Sequence, residues 1–249
     1  MQIITTAIIK GGTGKSTTAA ALAQAATATG IKVLAIDLDP QANLSFFVGA
    51  DQNRPGCYQL LHGENPRALI QRTKQGIDTI AASPDLATEK TAPASAKRLQ
   101  LAIAPLQNDY DLAIIDTPPT MGELTYNALQ AAQGLLIPLE TDNSSLQGLY
   151  KITDIAHQMQ RNSAPALSII GSVLTRYDSR PRLNRYLRDT IAAKAEEIGA
   201  PLIAEIRPAI AIREAQALQL SLYEYAPKCK PAQDYKDLLP KILKHERRY

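Results

Sequence analysis

Cysteine is scarce in this sequence: of 249 residues only Cys57 and Cys229 carry a thiol, far apart and in no Cys-x-x-Cys pattern. That argues against a disulfide framework or a self-contained zinc site and fits a reducing cytoplasm. The three histidines, His62, His157 and His245, stand at no metal spacing and beside no nucleophile. No run of about 18 apolar residues occurs, so no membrane span is expected. The segment behind Met1 enters a glycine-rich loop too soon for a cleavable signal. Strong net charge is missing as well: Lys+Arg 27 against Asp+Glu 24 leaves +3, too little to mark a nucleic-acid binder by itself. Its distribution says more, because residues 1–150 hold 10 basic and 13 acidic side chains while residues 151–249 hold 17 and 11. The basic character is C-terminal.

What is present is a 45% hydrophobic, 20% charged chain that supports a buried core. Apolar runs of strand length recur at 2–9, 31–36, 77–81, 112–115, 134–139, 166–174 and 202–206, separated by helix-length stretches. Continuous apolar strands alternating with helices predict an α/β fold: one mostly parallel, twisted sheet with helices on both faces. The Ala-rich stretch Ser16–Thr29 reads as the first helix, ended by Gly30, and Ser95–Leu106 reads as another that closes near Asn108. Pro-containing stretches at 54–66 and 83–93 read as surface connections, neither long nor polar enough to link domains. One domain spanning 1–249 is expected.

Behind the first strand comes Lys10-Gly11-Gly12-Thr13-Gly14-Lys15-Ser16-Thr17, a glycine-rich turn opening a helix. Glycines let backbone N–H groups approach phosphate oxygens, and a helix N-terminus favours negative charge. Lys15 is placed to reach β/γ-phosphates and Ser16 to bind Mg²⁺. Where the usual G-x-x-x-x-G-K-[ST] pattern wants its first glycine the chain has Ile9, and a second lysine, Lys10, follows it. An incidental glycine-rich turn is the alternative, but strand, loop and helix stand in the right order. This is a P-loop nucleotide site.

The second strand ends in Asp37-Leu38-Asp39-Pro40-Gln41-Ala42-Asn43, and the 112–115 strand ends in Asp116-Thr117-Pro118-Pro119. Ligands of such sheets bind at this carboxyl edge. Asp37 and Asp39 are two apart and can face the same side, one near a metal-bound water and one orienting the attacking water. The alternative for Asp39 is a helix N-cap, with Pro40 at the first helical position. Asp116 behind a buried strand is placed to hold Mg²⁺ through water.

With these three motifs in order, the whole chain resembles the ParA/MinD family of ATPases with a deviant phosphate loop, and the short ParA type most closely. The resemblance implies ATP and Mg²⁺ as cofactors and an ATP-sandwich homodimer, in which Lys10 reaches the partner subunit's phosphates. It implies that Lys15 binds phosphate within its own subunit, that Ser16 ligates the metal, and that Asp37 and Asp116 support the metal shell. Asp39 would then position water. A lysine acting across the interface resembles an arginine finger, because it supplies charge only in the assembled state. Departures are Ile9, where the family often has Gln or Gly, and Thr13 and Ser16, where it often has Val and Thr. Serine keeps the metal-binding hydroxyl. Leu174–Asp178, with Arg176, resembles the segment near the base, and Ile206-Arg207-Pro208 its adenine-side turn.

Arginine is dense from 176 to 188, and Arg182, Arg185 and Arg188 fall one turn apart on an expected helix, as one basic face. The family resemblance makes these, with Arg213, Lys228 and Lys230, the expected contacts to non-specific DNA phosphates; an ordinary solvated face is the alternative. Lys241, Lys244, Arg247 and Arg248 add C-terminal charge. No helix-turn-helix precedes the loop, so operator binding is not expected. A ParB-like centromere-binding partner, hydrolysis-driven release and a cytoplasmic, nucleoid-associated setting follow from the same resemblance. The alternative output is MinD-like, acting on a protein assembly or at a membrane. Residues 233–249 offer Leu238, Leu239, Ile242 and Leu243, but Pro240 interrupts them, so packing on the domain is expected. A nitrogenase iron-protein relative is rejected because it would need cysteines near and beyond the third motif to hold an inter-subunit iron–sulfur cluster, and Cys57 and Cys229 lie elsewhere. A small-molecule kinase or synthetase would share the loop but leave Lys10 unexplained.

Overall fold

All seven apolar runs become strands of one sheet in the computed structural model, which describes residues 1–89 and 97–243. They are β1 (Gln2–Thr6), β2 (Val33–Asp37), β4 (Asp78–Ile80), β5 (Leu112–Asp116), β6 (Gly134–Leu139), β7 (Ser168–Leu174) and β8 (Leu202–Glu205). An eighth, β3 (Gln71–Arg72), pairs antiparallel with β4 at the edge; two polar residues carry too little apolar pattern to announce a strand. The order is β3-β4-β2-β5-β1-β6-β7-β8, and every pair but β3–β4 is parallel. The expected α/β class is the observed one.

Side-chain alternation divides the central strands between two cores. Ile3, Leu34, Ala113, Ile115 and Leu135 face one layer, while Ile4, Val33, Ala35, Leu112, Ile114 and Leu136 face the other. The second layer holds α1 (Lys15–Ala28) and α2 (Asn43–Val48), with a C-terminal helix described below. The first holds α3 (Cys57–Leu61), α4 (Pro66–Leu69), α5 (Arg98–Ile103), α6 (Glu123–Ala131), α7 (Asn143–Asn162) and α8 (Arg182–Glu197). α1 is buried almost all round, which its alanines permit: Ala19, Ala20, Ala21, Ala23, Ala25 and Ala26 are all in the core. It ends at Thr29 with Gly30 in the left-handed region, φ 85°, as expected.

Three boundaries differ. The 54–66 stretch is not only connection: it contains α3, and Pro66 opens α4 at its first position, with Asn65 accepting from Arg67 N. In the other Pro-containing stretch, Pro84–Thr88 is a 3₁₀ turn; residues 90–93 lie outside the described residues, as does Ser95, the expected helix start. What is described of that helix is α5, which tightens into a 3₁₀ turn at Ala104–Leu106, where Pro105 cannot continue the α-helical bonding.

Three helices close the described residues: α9 (Ile210–Ala217), α10 (Leu222–Tyr225) and α11 (Lys230–Leu243). α11 turns Tyr235, Leu238, Leu239 and Ile242 into the core against α1 and contains Pro240. The Tyr235 hydroxyl lies 3.2 Å from Thr18 Oγ1, and Gln2 Nε2 donates to Ile242 O at 3.1 Å. The expected packing of the C-terminal segment is therefore met as far as Leu243; Lys244, His245, Arg247 and Arg248 fall outside the described residues. Among the described residues no helix is long and apolar enough to cross a membrane.

Candidate nucleotide site

Sheet order brings the three motifs together. β1, β5 and β2 are neighbours, with Thr6 beside Asp116 and Asp116 beside Asp37 in the register, so their carboxyl ends form one edge. The loop Lys10–Thr17 crosses that edge between β1 and α1. Gly12 (φ 78°) and Gly14 (φ 84°) adopt the left-handed backbone the turn needs, and Gly14 ends directly in α1. Lys15 is buried, and its Nζ donates to Lys10 O at 2.9 Å. Burial lowers its pKa, against the opposing pull of Asp116 and Asp39.

The three carboxylates have separate surroundings. Asp37 is fully buried with both oxygens engaged: one accepts from Asp39 N at 3.0 Å, the other from Ser45 N and Ser45 Oγ at 2.8 and 2.7 Å. Desolvation nevertheless raises its carboxyl to about 6, those hydrogen bonds opposing. Asp37 thus fastens the turn behind β2. Asp116 is also fully buried, and Thr6 Oγ1 donates to its Oδ1 at 3.3 Å, while Oδ2 has no protein partner. Desolvation and then Asp37 push its pKa up, and the Ser16 hydroxyl works against that shift. A buried acceptor without a donor beside a loop hydroxyl fits a hydrated Mg²⁺, which keeps most of its own waters. No cluster of three or more His, Cys, Asp or Glu among the described residues forms an all-protein metal cage.

Asp39 accepts from Gln41 N at 3.0 Å. The alternative in which it caps a helix is overturned, because α2 begins only at Asn43, behind Ala42 in a left-handed conformation. The Asp39–Gln41 turn displaces the helix start and leaves Asp39 lining a cleft of about 320 Å³ with Gly11, Gly12, Gly14, Lys15, Ser16, Thr17 and Arg176. Gln41, Asn43 and Pro119 border it as well. Thr13 is buried behind the loop, its carbonyl accepting from Thr175 Oγ1 at 2.8 Å.

A second cavity of about 640 Å³ adjoins this cleft, sharing Gly14, Thr17 and Arg176. Arg207 and Pro208, the residues expected on the adenine side, line it together with Ile206, Ile210, Ile212, Arg213, Gln216 and Tyr235. Arg176 stands between the two spaces, in a left-handed conformation and hydrogen-bonded to Gly12 O and Glu140. Arg207 is held by Asp234, with Nε at 3.0 and 3.1 Å from the two carboxylate oxygens. Gln216, absent from the motif reading, donates to Thr17 Oγ1 at 3.1 Å; 199 positions separate the pair, so no local spacing points to it.

Lys10 leaves the loop sideways. Its Nζ lies 2.5 Å from Asp142 Oδ2, 3.0 Å from Ser145 Oγ and 3.7 Å from Glu140 Oε2, at the β6–α7 connection. These acidic partners carried no sequence signal.

The expected basic face on α8 is not uniform. Arg182 is exposed, and Arg185 is exposed while bonding Ser179 O and Arg180 O at 2.7 and 2.8 Å. Arg188 turns toward β8, its Nε 2.7 Å from Glu205, with Nη1 3.1 Å from Asp189. The single face of three arginines is therefore corrected to two open guanidiniums and one paired one. Lys228, Lys230 and Arg213 are exposed around α9 and the start of α11.

Residues 1–169 match the family model described as an AAA domain. Over 259 aligned residues the chain is 32% identical to the chromosome partitioning protein ParA of Caulobacter vibrioides, covering 99% of this chain and 96% of that protein. Among solved structures, cobyrinic acid a,c-diamide synthase of Mycobacterium smegmatis with a bound ATP analogue and magnesium superposes with a TM-score of 0.81 at 29% identity, over 100% and 96% of the two chains. Apo McdA of Cyanothece superposes with a TM-score of 0.85 at 25% identity, over 96% and 99%.

Proposed function

The chain belongs to the ParA family of partition ATPases, and from that premise we propose that it is a DNA segregation switch: ATP assembles it into a homodimer that binds DNA without sequence preference, and hydrolysis releases it. The observation that supports its nucleotide half is the gathering at the glycine loop of Lys15, Asp39 and the unpartnered Asp116 Oδ2, which neighbours Ser16 and Lys15; the partition half is supported by the likeness to the ParA of Caulobacter vibrioides along nearly the whole chain. Lys15 binds the phosphates of its own subunit. Lys10 reaches those of the partner, so the second cation arrives only on assembly. Asp39 orients the attacking water. The Ser16 hydroxyl would ligate magnesium and Asp116 would hold it through its waters, with Asp37 behind them; the ion would neutralise charge on the nucleotide's phosphates. Arg176, Arg207 and Pro208 border the adenine.

Arg182, Arg185, Arg213, Lys228 and Lys230, with Arg188 in its paired position, form the DNA-facing set. ATP acts as a switch because its γ-phosphate bonds differently to monomer and dimer, the only way a ligand biases such an equilibrium. A ParB-type centromere-binding protein stimulates turnover, and the cycle runs in the cytoplasm on the nucleoid. The second reading, MinD-like action on a protein assembly, is supported by the fold likeness to the septum site-determining protein MinD of Pyrococcus horikoshii, with a TM-score of 0.80 at 25% identity.

Binding to random-sequence duplex DNA with ATP, with ADP and without nucleotide, at two salt concentrations and with sedimentation of the same samples, separates them. Salt-sensitive binding by an ATP-dependent dimer supports partition. A dimer that forms with ATP and ignores DNA removes the DNA output and leaves the second reading.

A further inference from the structure

Lys10, at the start of the glycine loop, and Arg176, which lines the phosphate cleft, are both held by the same short segment, Glu140 to Asp142. This segment lies at the carboxyl end of β6, which neighbours β1 in the sheet. The two oxygens of Asp142 do different work. Oδ1 caps α7, accepting from Ser145 N at 2.7 Å and Ser144 Oγ at 2.9 Å, whereas Oδ2 accepts from Lys10 Nζ at 2.5 Å. Ser145 Oγ completes the cradle, accepting from Lys10 at 3.0 Å and from Glu140 N at 3.1 Å. Burial acts to raise the Asp142 carboxyl, but hydrogen bonds from Lys10, Ser145 and Ser144 outweigh it and hold it at about 2, so the group is ionised throughout the neutral range. In the same subunit the Lys10 carbonyl accepts from Lys15. The loop therefore keeps one lysine over its own phosphate site while the other is tied to a neighbouring helix.

We propose that Asp142, seconded by Glu140, is a positioning residue that holds Lys10 inside its own subunit until ATP assembles the dimer. The proposal rests on the reading that Lys10 serves the partner's phosphates. A lysine bound in this way is not available to the partner, and the assembly-competent fraction of subunits is reduced accordingly. ATP-bearing phosphates of a second subunit are the stronger competitor for the ammonium, carrying more charge than the single carboxylate. ADP, which lacks the γ-phosphate, competes less. The contact thus sharpens the dependence of assembly on the γ-phosphate, and it prevents Lys10 from occupying the phosphate cleft of its own subunit.

The test uses Asp142→Asn, which keeps a cap acceptor for α7 and presents an amide donor where Lys10 needs an acceptor. Glu140→Gln serves as a second, milder variant. Two quantities are measured on the full chain: the rate at which a small acylating reagent modifies Lys10 in nucleotide-free protein, and the ATP concentration giving half-maximal dimer in sedimentation. ADP affinity and melting temperature are recorded alongside. Asp142→Asn is expected to accelerate Lys10 acylation and to lower the half-maximal ATP concentration by roughly three- to fivefold, the scale of a partly exposed charge pair, with ADP affinity unchanged. Glu140→Gln is expected to move both quantities the same way by less. Unchanged acylation overturns the holding contact, and faster acylation without easier assembly overturns its role. Lys10→Ala measured in parallel separates the premise: if it dimerises normally, the cross-subunit reading fails, whereas an impaired Lys10→Ala beside an unaltered Asp142→Asn sinks the present proposal alone.

Discussion

Lys10 and Lys15 stand five residues apart in one loop, yet their ammonium groups lie in different surroundings: one at an acidic helix start, the other buried against the loop carbonyl. Their substitutions should therefore fail differently. Lys15→Ala is expected to weaken nucleotide binding itself, read as the affinity for ADP and ATP. Lys10→Ala is expected to keep ADP binding and lose the ATP-dependent dimer, read by sedimentation. Asp37 makes a pH-dependent prediction. Its carboxyl is raised by burial to about 6 from an ordinary 3.8, so the folded state takes up a proton that the unfolded chain has already released. The cost of burying the charge is complete above pH 6 and disappears as pH falls toward 4. The unfolding free energy of wild type minus that of Asp37→Asn, followed by denaturant unfolding without nucleotide or magnesium, should accordingly fall as pH is raised from about 5 to 7. A difference that rises over this interval would contradict the burial account.

At the scale of elements, the C-terminal helix decides between two uses of the same apolar residues. Leu238, Leu239 and Ile242 would anchor a membrane-bound helix, but in α11 they are packed under α1. Leu238 is completely buried, so Leu238→Ala should cost about 2–5 kcal/mol of unfolding free energy. A surface anchor would leave stability unchanged. α8 divides its arginines by rotation about the helix axis: Arg182 and Arg185 remain open, while Arg188 meets Glu205 on β8. Removing Arg182 and Arg185 should therefore weaken DNA binding and flatten its salt dependence by close to two log units per log unit of salt, about 0.9 for each phosphate contact. Arg188→Ala should change that slope far less, because its charge already has partners within the fold.

For the molecule as a whole, assembly, hydrolysis and release have to be separable. Asp39 borders the phosphate cleft but takes no part in closing the phosphate loop. Asp39→Ala is expected to bind ATP, stop before hydrolysis and accumulate as a DNA-bound dimer, checked by sedimentation with duplex DNA present. A monomeric, DNA-free Asp39→Ala protein in ATP would remove the proposed switch. The basic excess of residues 151–249 belongs to the half that follows the three nucleotide motifs, so that on the proposed reading the loop would sense ATP and the later helices would carry the output.

The phosphate loop, the carboxylates at the ends of β2 and β5, and the α/β class were all legible from the order of residues alone. Each depends on local rules: glycines where the backbone turns left-handed, an apolar run of strand length, a charged residue where that run stops. β3 was not legible, because two polar residues at a sheet edge carry no pattern. Nor was the engagement of both Asp37 oxygens, which follows from α2 starting at Asn43 and bringing Ser45 under the carboxylate. Lys10 and Asp142 are 132 positions apart, and Thr17 and Gln216 are 199 apart. Such pairs exist because β6 takes its place beside β1 and because α9 closes the cavity next to the loop. Local chemistry thus determined which residues gather at the glycine loop; only the arrangement of strands and helices decided what each charged group faces in the free subunit, since that depends on neighbours brought together by packing rather than by the chain.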